Sequence, residues 1–562
     1  MIRSSIDLML KTGAAALAKN FENRDPIAGQ REILARLVVA AAVTRFGRDH
    51  GFAELAGEPF DRLYAEFRRR VPIRTYADFW RDYFSAWQSD ANGSQRLLLE
   101  DVTWPGRIPF FCETSGTTAP TKYIPFSREM FAANKRAAID LTACYLHRTP
   151  RSRLFQGKLL YMAGNTSLTD LGNGVQSGDM SGITLRHRPF YLRPFVAPGM
   201  AVSALPWEEK VVELAGLLLS DRSIRGISGV PPWIILLLQR VEEMGHRPIA
   251  ELLPNLELII HGGTSMKPYR REFDGLFPRR RPHFLEVLPS SEAFMAFQLP
   301  GEDRMRLVPH YGAFFEFIPI EDLDEGGTPA ADAPTVPLEA VETGRRYAVI
   351  LTTCAGLWRY HIGDTLRFTA LSPHFIEFTG RDRFLDRFEE KVTQGEVEEA
   401  VARLNQLDGI EVREFMVGPD IGERRHLWVL AVGEMNERSG DVLGRHLDAT
   451  LRSLNADYAT FRSQGRIAGP RVVTVSGDVI YRWSKEVRGK LGGQSKIPHV
   501  DPTVEGEMVA SLAAFARRFQ ACWIADSFQG FGPTGRVKVQ NSSNFTGSRS
   551  LPERTRPSSS VV

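Results

Sequence analysis

Between residues 31 and 47 the chain reads REILARLVVAAAVTRFG, with apolar residues at helical spacing and Gly47 where the helix is expected to stop. The stretch 75–88, TYADFWRDYFSAWQ, repeats the pattern with aromatic residues on one side. The first hundred residues are therefore expected to be a mostly helical layer. From about 100 to 380, short apolar runs alternate with helical patterns. GKLLYMAG (157–164), LELIIHGG (256–263) and RRYAVILTTC (345–354) read as buried strands. PPWIILLLQRVEEMG (231–245) reads as a helix, with prolines at its start and glycine at its end. This alternation predicts an α/β domain with a substantial sheet. The segment 321–337 is expected to be a surface excursion between strands.

After FTGRDRFLDRF (378–388) the pattern becomes that of a compact α+β section ending near 525, with an amphipathic helix at 396–407 and a strand at 426–433. The tail from about 528 is rich in Gly, Ser, Pro and Asn, has little to bury, and is expected to be disordered. The expected organisation is a large N-terminal domain over 1–382, a small C-terminal domain over 383–527 and a tail over 528–562.

Composition narrows the function classes. At 562 residues the chain is too long for one core. A net charge of +3 implies no strong attraction to nucleic acid or to a membrane surface. Cys112, Cys144, Cys354 and Cys522 have neither zinc-site nor redox-motif spacing, so a reduced, cytoplasmic setting is expected. The N-terminal MIRSSIDLMLKTG makes a poor signal peptide, and WIILLL (233–238) falls far short of the roughly 20 residues of a membrane span. A soluble, monomeric protein acting on small molecules is the expectation.

ETSGTTAPTKYIP (113–125) gathers Thr114, Ser115, Gly116, Thr117 and Thr118 ahead of Lys122. Backbone N–H groups and hydroxyls so arranged suit an anion, though alone such a stretch is usually a solvated polar turn. No Walker pattern occurs in the chain. Gly262 and Gly263 fall where a strand ends, the usual ligand edge of an open α/β sheet, or simply at a tight turn. Ser290, Ser291 and Glu292 sit in a largely apolar run, where a carboxylate needs a partner or a cation. Tyr360, Gly363 and Asp364 lie near the end of a probable strand, where Asp364 would accept from a diol or cap a turn.

The order of these segments resembles the adenylate-forming superfamily. TSGTTAPTKYIPFS, GNGVQSGDMSGI (172–183), SGVPPWIILLLQRV (228–241), HGGTSMKPYRREF (261–273), AGLWRYHIGDTLRF (355–368) and GKLGGQSKIPH (489–499) are together similar to the acyl-acid amido synthetase family, which includes plant auxin-responsive proteins and bacterial members. The resemblance covers about residues 30–515. It implies a large N-terminal domain and a small mobile α+β domain, with ATP and a carboxylic acid bound between them.

Carried over residue by residue, the resemblance implies that Thr114 to Thr118 hold the ATP phosphates with Lys122 nearby. Gly262 and Gly263 would border adenine, Ser290 and Ser291 the α-phosphate, and Tyr360, Asp364 and Arg381 the ribose side. Glu292 would bind Mg²⁺, and Lys496 would be the catalytic lysine. Val230 and Trp233 are candidates for the acid pocket, or are core residues. The implied chemistry is carboxylate activation as an acyl-adenylate, followed by transfer to the amine of an amino acid. Transfer to a coenzyme A or carrier-protein thiol, and a non-catalytic acyl or nucleotide sensor, are the alternatives. Three features depart from the pattern, one being the loop TTAPTK (117–122), which lacks the usual second glycine. Leu288 stands where the superfamily has an aromatic residue that stacks on adenine, and His499 stands where many relatives have arginine.

Overall fold

The structure is a computed structural model. It describes residues 2–85, 87–89, 95–97, 99–114, 122–278, 281–324, 327–381, 384–432, 440–489, 496–503 and 505–528, with side chains left out at 2–6, 87–89, 95–97, 381, 384 and 519–528. The expected disordered tail and Ser115–Thr118 lie outside the described residues. Met1–Phe515 forms one compact unit and Ala516–Val562 a second.

Within the first unit, a sheet of twelve described strands carries the fold. At one end Val196–Ala197, Lys158–Tyr161, Ile224–Gly229, Leu258–Gly262 and His283–Pro289 run parallel. His283–Pro289 then pairs antiparallel with Phe294–Gln298, and antiparallel pairing continues through Met305–Leu307, His374–Arg381, Tyr360–Leu371, Arg346–Thr353 and Ala313–Pro319. The parallel strands are short apolar runs because helices cover them, among them Trp207–Ser220 and Pro231–Gly245. Their carboxyl ends, at Gly229 and Gly262 and at Pro289, share one edge of the sheet.

The helical layer forms as expected but with different breaks. Pro26–Ala41 ends before Gly47, which lies inside a separate short helix, Arg45–Asp49. Gly47 is there for closeness rather than for stopping a helix: a Cβ would meet the Ala41 carbonyl oxygen at 2.0 Å. Residues 75–88 are likewise split, into the α-turn Tyr76–Phe79, a π-helical turn Trp80–Phe84 and the start of a strand at Trp87. Phe46, Phe52, Phe67, Phe79 and Trp358 fuse this layer to the sheet. Each such buried aromatic contributes about 1.5–3 kcal/mol of transfer free energy. Arg359 fastens the same seam, donating from Nε to Glu316 at 3.1 Å and from Nη1 to the Val71 carbonyl at 2.8 Å.

The α+β section packs Gln394–Leu404 and Gly440–Leu454 on a three-stranded sheet of Val412–Asp420, Arg425–Val432 and Arg471–Ser476. Thr393 and Glu396 form a reciprocal capping box that starts the first of these helices. No helix among the described residues is long and apolar enough to cross a membrane.

Candidate functional site

The edge formed by the carboxyl ends of the parallel strands gathers most of the candidate residues that are described. Gly262 ends its strand opposite Val287, and a Cβ at Gly262 would collide with the Val287 carbonyl oxygen at 2.2 Å. Gly263 turns at φ +87°, a conformation that favours glycine. Lys496 lies on this turn: a Cβ at Gly263 would stand 3.1 Å from Lys496 Cε and 3.5 Å from its Nζ. Val230, Thr264 and Lys496 line one small pocket with Trp233. Lys496 is exposed, whereas Val230 and Trp233 are 3% and 2% exposed and belong to the core as well as to the pocket wall.

The hairpin that carries the Ser/Gly/Thr stretch pairs Thr114 with Lys122, and Lys122 Nζ sits 5.6 Å from the centre of the Tyr76 ring. Two residues before Thr114, the buried Cys112 thiol is held well above its usual range by burial, with Asp179 and Glu292 adding to the effect. Glu292 is 8% exposed. It follows Ser290, whose hydroxyl shapes the turn by accepting from the Glu292 and Ala293 N–H groups and donating to the Ala293 carbonyl. Ser291 is half-buried beside it. Leu288, at the position expected to face adenine, is half-buried and packs on the large core.

Asp364 is not at a strand end. Tyr360–Leu371 is one continuous strand, irregular where Gly363 adopts φ +82°, and Asp364 lies inside it in register with Arg381. The irregularity re-aims this stretch of strand, as bulges do. Tyr360 is 1% exposed and packs against Phe79 in the aromatic core, away from solvent. Arg381 is described only through its backbone.

One cluster was not anticipated. His499 is buried, donating from Nδ1 to Glu398 at 2.8 Å with Nε2 3.2 Å from Glu414. Burial alone would lower its pKa, but the two carboxylates outweigh burial and raise it to about 9. Phe415 stacks on the ring at 4.1 Å, and the Tyr269 hydroxyl reaches both His499 and Glu414 at 3.4 Å. Tyr269 belongs to the HGGTSMKPYRREF segment, so this cluster ties the Gly262–Gly263 edge to the α+β section. Arg271 Nη1 ties it again, donating to the carbonyls of Asn405 at 2.6 Å and Leu407 at 3.0 Å.

A broad sheet with a smaller α+β section closing over its carboxyl edge defines the adenylate-forming class of fold. A solved structure titled 2-hydroxyisobutyryl-CoA ligase in the postadenylation state aligns over 86% of this chain and 91% of its own, with TM-score 0.52 and 14% identity. A structure of an acyl acid amido synthetase in complex with 2,4-DB aligns over 90% of this chain and 96% of its own, with TM-score 0.71 and 16% identity.

The profile of the GH3 family N-terminal domain matches residues 19–210, that of its central domain 307–381 and that of its C-terminal domain 395–503. The chain belongs to the GH3 family. An indole-3-acetic acid-amido synthetase of Arabidopsis thaliana is 30% identical over 275 residues, 44% of this chain and 45% of that protein. Another from the same plant is 24% identical over 375 residues, 59% and 66% of the two. The chain thus matches about half the length of these curated relatives.

Proposed function

We propose that this chain is an ATP-dependent, AMP-forming ligase that joins a carboxylic acid to the amine of an amino acid. The observation that carries the reading is Lys496 of the small section lying on the Gly262–Gly263 turn of the large one. The residues present fit a nucleotide. Glycines tight enough to exclude a Cβ leave a flat backbone face for a base, Asp364 offers acceptors for hydroxyls, and Lys496 supplies a cation. Magnesium held with phosphates needs only one or two protein carboxylates, and Glu292 would fill that role. Thr114–Thr118 and Lys122 are proposed as the phosphate loop, Ser290, Ser291 and Arg381 as neighbours of the α-phosphate and ribose, and Val230 and Trp233 as part of the acid pocket. Tyr360 would support Asp364 from the core side.

In the first half-reaction the acid's carboxylate oxygen bonds to the α-phosphorus of ATP and pyrophosphate leaves. Lys496 and the loop donors neutralise negative charge developing on oxygen, an electrostatic contribution made without reorganisation. In the second, the amine nitrogen bonds to the acyl carbon and AMP departs with the electron pair of the broken C–O bond. The proposed division, with 383–527 as the moving part, lets different groups face the reacting carbon in the two steps. The bonds from Tyr269 and Arg271 would hold one of the two arrangements.

The test is acid-dependent pyrophosphate exchange followed by amine-dependent AMP release with no thiol present. Exchange without amine-dependent release, but with release on adding coenzyme A, would replace this reading with a thioester-forming ligase. Absence of exchange with every acid tried would favour a sensor.

A further inference from the structure

Beside the Lys496 pocket opens a cavity of about 630 Å³, within the range of small-molecule sites. Pro232, Trp233, Tyr269 and Tyr481 line both spaces, so the larger cavity adjoins the one lined by Lys496 and Thr264. Trp207 meets Trp233 edge-on at 4.6 Å, and Trp233 meets Tyr481 at 5.3 Å, which makes one wall aromatic. Seven charged residues also line it, and two of them, Glu272 and Arg413, come from different parts of the fold.

Arg413 acts on Glu272 through its charge, yet no ion pair joins them. Glu272 is half-buried and accepts from Gln239 Nε2 at 2.6 Å, but among the described residues no cation lies within ion-pair distance of it. Burial, helped by Glu411, holds its carboxyl up to about 7. A half-buried carboxylate so placed gains from an arriving cation. Among the described residues Arg413 is hydrogen-bonded only to Glu411, through long contacts of 3.4 and 3.5 Å, leaving its fork able to turn to a better-placed carboxylate.

Resting on the proposed ligase reading, we propose that this cavity receives the acceptor amino acid, its ammonium toward Glu272, its carboxylate toward Arg413 and an apolar side chain against Trp207 and Trp233. A zwitterion fits a separated acid and base that do not neutralise each other, and aromatic walls suit an apolar side chain. The neck toward Lys496 holds only about 10 Å³ in this arrangement, so the amine waits outside until the small section moves.

The test uses the full chain with Mg-ATP and an acid found by pyrophosphate exchange. Phenylalanine is compared with phenethylamine, the same amine without its carboxylate. The wild type should favour phenylalanine in kcat/KM by about tenfold to a hundredfold, the range of a charge-assisted pair. Arg413→Met should bring that ratio to about one, and Glu272→Gln should raise KM for both amines while KM for the acid moves little. Because the Arg413 readout is a ratio, partial misfolding does not imitate it. An unchanged ratio in Arg413→Met, or an acid KM that rises with the amine KM, overturns the proposal. Failure of the wild type to make any phenylalanine amide overturns the apolar side-chain assignment. If adenylation occurs but only thiols release AMP, it is the ligase reading that fails instead.

Discussion

Replacing His499 with leucine removes a buried cation from between two buried carboxylates, Glu398 at 4% and Glu414 at 2% exposure. Leucine keeps the apolar contact with Phe415 but leaves both carboxylates without their shared partner. Breaking a buried pair from one side costs about 3–5 kcal/mol, because the stranded charge remains desolvated. The proton held by His499 in the wild type sets the pH dependence of the same interaction. A pKa raised from 6.5 to about 9 means that the folded state binds the proton more tightly. That stabilisation is fully present below pH 6.5 and is lost as pH rises through 9, an effect of about 3 kcal/mol. Glu272 and Glu286, both raised to about 7 by burial, act in the same direction between pH 4.5 and 7. The assay is hydrogen exchange of peptides covering Val412–Asp420 and Arg425–Val432, corrected for intrinsic base catalysis. Protection should fall by about a hundredfold between pH 6.5 and 9.5 in the wild type. His499→Leu should show a loss of that order already at pH 6.5. His499→Arg, which keeps the charge, should recover most of it. Protection that changes less than about threefold in both comparisons would refute the buried-cation argument.

Lys496→Ala should lower turnover by at least about two orders of magnitude, the scale of a lost electrostatic contact to a transition state, while nucleotide binding by calorimetry changes little. Glu292→Ala should abolish Mg²⁺-dependent pyrophosphate exchange with the fold intact by circular dichroism; retained exchange would remove the metal assignment. Gly263→Val should be severely impaired in turnover, since the φ of +87° is strained for valine and its side chain would press on Lys496. By contrast, Lys485→Ala removes an exposed pair with Glu208 and should shift stability by no more than about 1 kcal/mol.

The sequence made two of the parallel strands, Lys158–Tyr161 and Leu258–Gly262, the helix Pro231–Gly245 and the Gly262–Gly263 edge legible, because each is written in local periodicity or in a strand-ending glycine pair. It also brought Lys496 forward, though only through the resemblance, since a lysine beside glycines carries no local signal. What it hid depended on distance or on backbone detail. Gly47 reads as a helix stop from its neighbours, but its reason is the Ala41 carbonyl against it. Gly363 reads as a turn, yet the strand runs straight through it with an irregularity. His499 reads as a departure from an arginine position, and only the fold brings Glu398, from about a hundred residues away, against its ring. Glu272 lay within a motif already marked, but the role proposed for it depends on Arg413 and Tyr481, distant in sequence, lining the same cavity.

The central claim is carboxylate activation by adenylation followed by amide formation. The most direct measurement is the fate of oxygen from an ¹⁸O-labelled carboxylic acid incubated with Mg-ATP and an amino acid, followed by mass spectrometry of amide and nucleotide products. The account predicts one labelled oxygen in AMP for each amide formed. Label in inorganic phosphate, or amide formed without labelled AMP, would contradict it.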